Sequence, residues 1–77
     1  DGNHRYEPTL RYFEMSLPYM HENSFIIFDD INWSKEMKDA WSTIISRPEV
    51  SISIDLYMMG IVFFNKGFSK QNFQIRY

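Results

Sequence analysis

Seventy-seven residues make one small domain at most, and a chain this short buries only about 60% of the surface its unfolded form exposes. The absence of cysteine excludes disulfides and thiolate metal sites. A net charge of -2 with scattered lysines and arginines argues against a phosphate-binding surface, and no apolar segment approaches the roughly 20 residues needed to span a bilayer.

Neither nucleic acid nor membrane is therefore an expected partner. The missing cysteines fit a reducing compartment, and a cytoplasmic location is expected, with no secretory leader. Aromatic residues make up 18% of the chain, a large apolar payload for so few residues. Such a chain requires more core than it can close alone, so either a partner or a further part of the polypeptide is expected. Residue 1 is the Asp of an Asp-Gly pair rather than an initiating Met, which reads as the middle of a protein.

Asp1 to Glu7 reads as a loop. Pro8 suits a first helical turn, where its missing N–H would be unpaired in any case. Leu10, Phe13 and Leu17 follow at spacings of three and four, with Tyr6 one turn earlier, which predicts an amphipathic helix that Pro18 kinks or ends. Residues 21–24 read as a turn. Phe25 to Phe28 form a continuous apolar run ending in Asp29-Asp30. Such a run predicts a central parallel strand buried on both faces, with its acids at the end where open α/β sheets bind ligands.

Ser34 is a candidate N-cap. Met37, Ala40, Trp41, Ile44 and Ile45 fall on one helical face, and Pro48 ends that helix. From Val50 the period becomes two, with Ile52, Ile54 and Leu56 alternating with Ser51, Ser53, Asp55 and Tyr57. Gly60 and the run Ile61 to Phe64 come too soon for a parallel crossover, so an antiparallel hairpin turning near Tyr57–Met59 is predicted. Residues 66–77 read as an irregular tail or a short extra strand. The fold class is α/β, with the order helix, buried strand, helix, antiparallel hairpin, and residues 1–77 form a single partial domain.

Few residues carry chemistry. Asp29-Asp30 reads most simply as a solvated or helix-capping acidic turn, and alternatively as oxygen ligands for a hard cation such as Mg²⁺. His4 has a near-neutral pKa suited to general-base work, although a lone His in a polar loop is commonly just solvated. Asp1 is either a turn residue or a ligand. His21 is expected to be solvated, and Trp33 and Trp41 to be core residues. The Met58-Met59 pair at a turn is apolar where turns are usually polar, which points to a covered surface.

Asp1-Gly2-Asn3-His4-Arg5-Tyr6-Glu7, then a helix, Phe-Ile-Ile-Phe-Asp-Asp-Ile, a Trp-Ser-Lys-Glu-Met helix and a hairpin together resemble class I S-adenosylmethionine-dependent methyltransferases, in the small-molecule O-methyltransferase-like branch. The resemblance runs to about Asn65. It implies the C-terminal half of a Rossmann-like methyltransferase sheet. The first motif follows the family's fourth strand, the second ends its fifth, and the hairpin is its sixth and seventh strands, the seventh inserted antiparallel. In cation-dependent members the metal ligands fall by position on Asp1, Asp29 and Asp30, and the base on His4.

The family's glycine-rich loop and its ribose-binding acid would lie before residue 1. The resemblance therefore implies a portion that is inactive alone and binds no S-adenosylmethionine, while the parent protein methylates a small molecule. Two other readings stand beside it. One is a small α/β interaction module that dimerises through its sheet edge, and homo-oligomers are expected under either. The other, a metal-dependent hydrolase, has only the acidic residues behind it and no nucleophile constellation.

Overall fold

A computed structural model describes residues 6–76. They form a small α/β domain with two helices on one face of a four-stranded mixed sheet. Helix α1 spans Tyr6–Ser16 and continues into a short 3-10 turn, Leu17–Tyr19, at Pro18. Strand β1 is Phe25–Asp29 and helix α2 is Lys35–Ile45. The hairpin strands are β2, Ile52–Asp55, and β3, Met59–Phe63. Of the two readings of the tail, the short extra strand is the one found: Gln71–Gln74 forms an edge strand, β4.

The spatial order is β1-β3-β2-β4. β3 pairs antiparallel with both β1 and β2, so β1 and β2 run in the same direction on either side of it. β4 pairs parallel with β2. The predicted hairpin is present. β1, however, is not the central parallel strand that its apolar run predicts. Among the described residues its one neighbour is antiparallel β3.

Local chemistry explains α2 well. The Ser34 hydroxyl accepts the Met37 N–H at 3.2 Å, Glu36 lies in the first turn, and Pro48 lies just beyond the end. The cap satisfies one of the orphan donors that every helix start leaves. The inward stripe Met37, Ala40, Trp41 and Ile44 is buried as predicted. α1 contributes Phe13, which is fully buried and stacks near Phe28 and Phe64, with ring centroids 6.4 and 6.3 Å away. Arg47, just past α2, bridges Glu14 of α1 and Glu49 and lies over the Phe13 ring. Lys70 donates to the Arg47 and Val50 carbonyls at 2.8 and 2.7 Å.

The core comprises Phe13, Ile26, Phe28, Ile31, Trp41, Ile44, Val50, Val62 and Phe64. It occupies one face of the sheet only. β1 alternates between buried and exposed, so Ile26 and Phe28 pack inward while Phe25 and Ile27 remain 56% and 50% exposed. The register continues that outer row across the sheet: Phe25, Phe63 and Ile52 form one rung, and Ile27, Ile61, Ile54 and Phe73 the next. β2 turns Ser53 and Asp55 toward the helices and its isoleucines toward the open face, and Ser51, just before the strand, is buried as well. Ser53 is accommodated there by donating to Asn72 of β4 at 2.6 Å.

One contact sets the distance between the layers. Gly60, in mid-strand, lies against the Trp41 ring, and a Cβ at residue 60 would overlap three of its carbons. Gly60→Ala should destabilise the fold by about 1–3 kcal/mol through overpacking. Adding Trp41→Leu to it should cost less than the sum of the two single changes, as read by urea denaturation of the four variants. Ser34→Ala should cost about 1 kcal/mol through the lost cap, in the same assay.

Candidate functional site

The ends of β1 and β2 lie at the same end of the sheet, and the loops leaving them are tied together. The Asp30 N–H donates to the Met58 carbonyl at 2.7 Å. The Asn32 amide donates to the Tyr57 carbonyl at 2.8 Å and to Asp55 Oδ1 at 3.4 Å. These bonds hold the segment between β1 and α2 against the hairpin turn.

Asp55 is the hub. Its carboxylate is buried at the last position of β2 and Oδ1 also accepts the Tyr57 N–H at 2.7 Å and Arg76 Nη1 at 3.2 Å. A buried carboxylate needs such donors, since an unpaired buried charge is costly. The guanidinium of Arg76 lies 5.1 Å from the centroid of the Tyr57 ring.

Two residues here have left-handed backbone: Asp30 at φ 60° and Tyr57 at φ 70°. Asp tolerates that region, whereas a bulky aromatic does so only under constraint. The Asp55 side chain closes a turn over the Tyr57 N–H, and Asn32 grips the Tyr57 carbonyl. Strain held in place in this way gathers at functional sites. A recess of about 300 Å³ lies between the loops, lined by Asp30, Asn32, Trp33, Tyr57 and Met58. A larger recess of about 610 Å³ lies at the other end of the strands, between Leu17, His21, Glu49 and Lys66.

Of the candidate residues, Asp29 and Asp30 lie where the sequence places them, at the carboxyl end of β1, with Asp29 exposed and Asp30 half-buried. Asp1 and His4 lie outside the described residues. Among the described residues no group of three or more His, Asp or Glu could hold a metal. Two adjacent carboxylates suit the oxygen preference of a hard cation but supply fewer ligands than it takes.

Trp33 corrects an expectation. Trp41 is core, but Trp33 is 71% exposed at the rim of the recess. His21 is exposed, as expected, and its Nδ1 accepts the Asn23 N–H. Asp55, Asn32 and Arg76 were not legible as site residues. The available signal was Asp55 itself, an ionisable group closing the serine side of an alternating strand.

No family model, curated protein or solved structure matches this chain. No helix among the described residues is long and apolar enough to cross a membrane.

Asn32→Ala should destabilise the domain by about 1 kcal/mol, the size of a typical hydrogen-bond deletion. Asn32→Asp should cost more, since it removes the donor and sets a second carboxylate beside Asp55. Urea midpoints of both variants check the order.

Proposed function

We propose that these residues are the C-terminal part of a class I S-adenosylmethionine-dependent methyltransferase domain, in the small-molecule O-methyltransferase-like branch. The observation that carries the reading is the strand order, in which β3 runs antiparallel between the co-directional β1 and β2. That is the order expected of the family's fifth, seventh and sixth strands. β4 lies outside the pattern.

Two further observations support it. Asp29-Asp30 ends β1, as the family's second acidic motif ends its fifth strand. The outer face of the sheet carries two apolar rungs, as a doubly covered α/β sheet requires. In this reading Asp1, Asp29 and Asp30 would hold a divalent cation such as Mg²⁺, which would supply Lewis-acid activation of an acceptor hydroxyl. His4 would serve as the general base for that hydroxyl's proton. The methyl donor is held by segments other than these 77 residues.

A second reading is favoured by the outer edge of β1, which pairs with no strand among the described residues. Bare edges template association, so a stand-alone module would self-associate there.

The test uses the full-length polypeptide carrying this sequence. It should bind S-adenosylmethionine in calorimetry, whereas the isolated 77 residues should show no saturable binding. His4→Ala should lower methyl transfer by about 10²-fold or more, the usual size of general-base loss. Full transfer after chelation removes the metal from the reading, and tight cofactor binding by the isolated chain overturns the division of labour.

A further inference from the structure

The recess of about 610 Å³ at the amino ends of β1 and β2 lies at the opposite end of the sheet from Asp29-Asp30. Its apolar wall is an extension of the core. Phe64 is buried and stacks on Phe13, and Leu17 and Met20 pack against the same cluster. An apolar wall with a few polar groups around it is the usual make-up of a small-molecule site, in volumes of roughly 300–1,000 Å³.

Polar groups of both signs stand at the rim. Glu49 is already engaged, since both of its oxygens meet the Arg47 guanidinium at 3.3 Å. The Lys66 ammonium and the Glu22 carboxylate, by contrast, form no ion pair or hydrogen bond with any described residue. His21 adds a donor. Its Nδ1 accepts the Asn23 N–H at 3.2 Å, so in the neutral ring the proton lies on Nε2. One recess therefore offers a cation, an N–H group, an anion and an apolar wall. An apolar ligand with a single charge is attracted by one of Lys66 and Glu22 and repelled by the other. A zwitterion satisfies both.

We propose that this recess binds a small zwitterion with an apolar body, of the apolar α-amino acid class. Lys66 and the His21 Nε2–H take its carboxylate and Glu22 takes its ammonium group. Its side chain lies on Leu17, Met20 and Phe64. The claim does not depend on the methyltransferase reading, whose described residues lie at the other end of the sheet.

The experiment is a titration of the full-length protein with L-phenylalanine, 3-phenylpropionate and 2-phenylethylamine, followed by amide NMR shifts. The last two ligands each lack one of the charges. Phenylalanine should bind about fivefold more tightly than either, the upper end of what one exposed ion pair supplies. The shifts should gather at residues 17–22 and 64–66. Glu22→Gln should erase the advantage of phenylalanine over 3-phenylpropionate, and Lys66→Met its advantage over 2-phenylethylamine. Both side chains are exposed, and retained amide spectra establish that the variants fold. An analogue that binds as tightly as phenylalanine, no saturable shift, shifts gathered elsewhere, or either variant keeping the parent's preferences would each overturn the proposal.

Discussion

The Trp41 indole occupies the space where residue 60 would otherwise project a side chain. Much of the packing follows from this contact. It draws α2 down onto the middle of β3, and β3 is the strand that joins β1 to β2. Phe28 meets the Trp41 ring edge-on at 6.2 Å, and Phe13 of α1 closes on Phe28. A chain of aromatic contacts thus runs from Gly60 through both layers. Aromatic pairs in such offset geometries add about 0.5–1.5 kcal/mol each beyond the area they bury. In a domain of this size that is a large share of the margin.

The same packing aligns the loops. With β1 and β2 fixed in direction on either side of β3, their carboxyl ends emerge together. Asp55 then needs donors, and it finds them in the Tyr57 backbone, Asn32 and Arg76. These come from three separate stretches of chain, so one buried carboxylate joins the β1–α2 loop, the hairpin turn and the segment after β4. The left-handed Tyr57 is accommodated within that arrangement. A site built this way is preorganised by an ion pair at its base rather than by the residues at its rim.

Local signals were strong enough to place most elements. Pro8, Ser34 and Pro48 punctuate the helices, and the stripe from Met37 to Ile44 states which side of α2 is buried. The hairpin follows from chain length alone, because Val50 to Phe64 leaves no room for a crossover. What could not be read is tertiary. The run Phe25–Phe28 looks doubly buried because both of its faces are apolar, yet only one face has helices over it. Trp33 and Trp41 are alike in composition terms and differ only in which side of α2's first turn they fall. β4 has a polar pattern with no period-two signal of its own, and its place is set by pairing with β2 and by Ser53 meeting Asn72. The acidic pair was legible at the end of its strand, whereas Asp55 was not, because its importance lies in partners 21 and 23 residues away.

β2 aims Ser53 and Asp55 at the helices and its isoleucines away from them. A strand so arranged gains little from the layer already in place, and most of its apolar free energy becomes available only when the other side is covered. Folding and covering are then linked equilibria. Any molecule or segment that seats on Ile52, Ile54, Ile61 and Phe63 binds the native form and not the unfolded one, so it draws the chain toward the native state by mass action. When the cover is a separate molecule, the melting temperature becomes a property of its concentration as well as of the sequence.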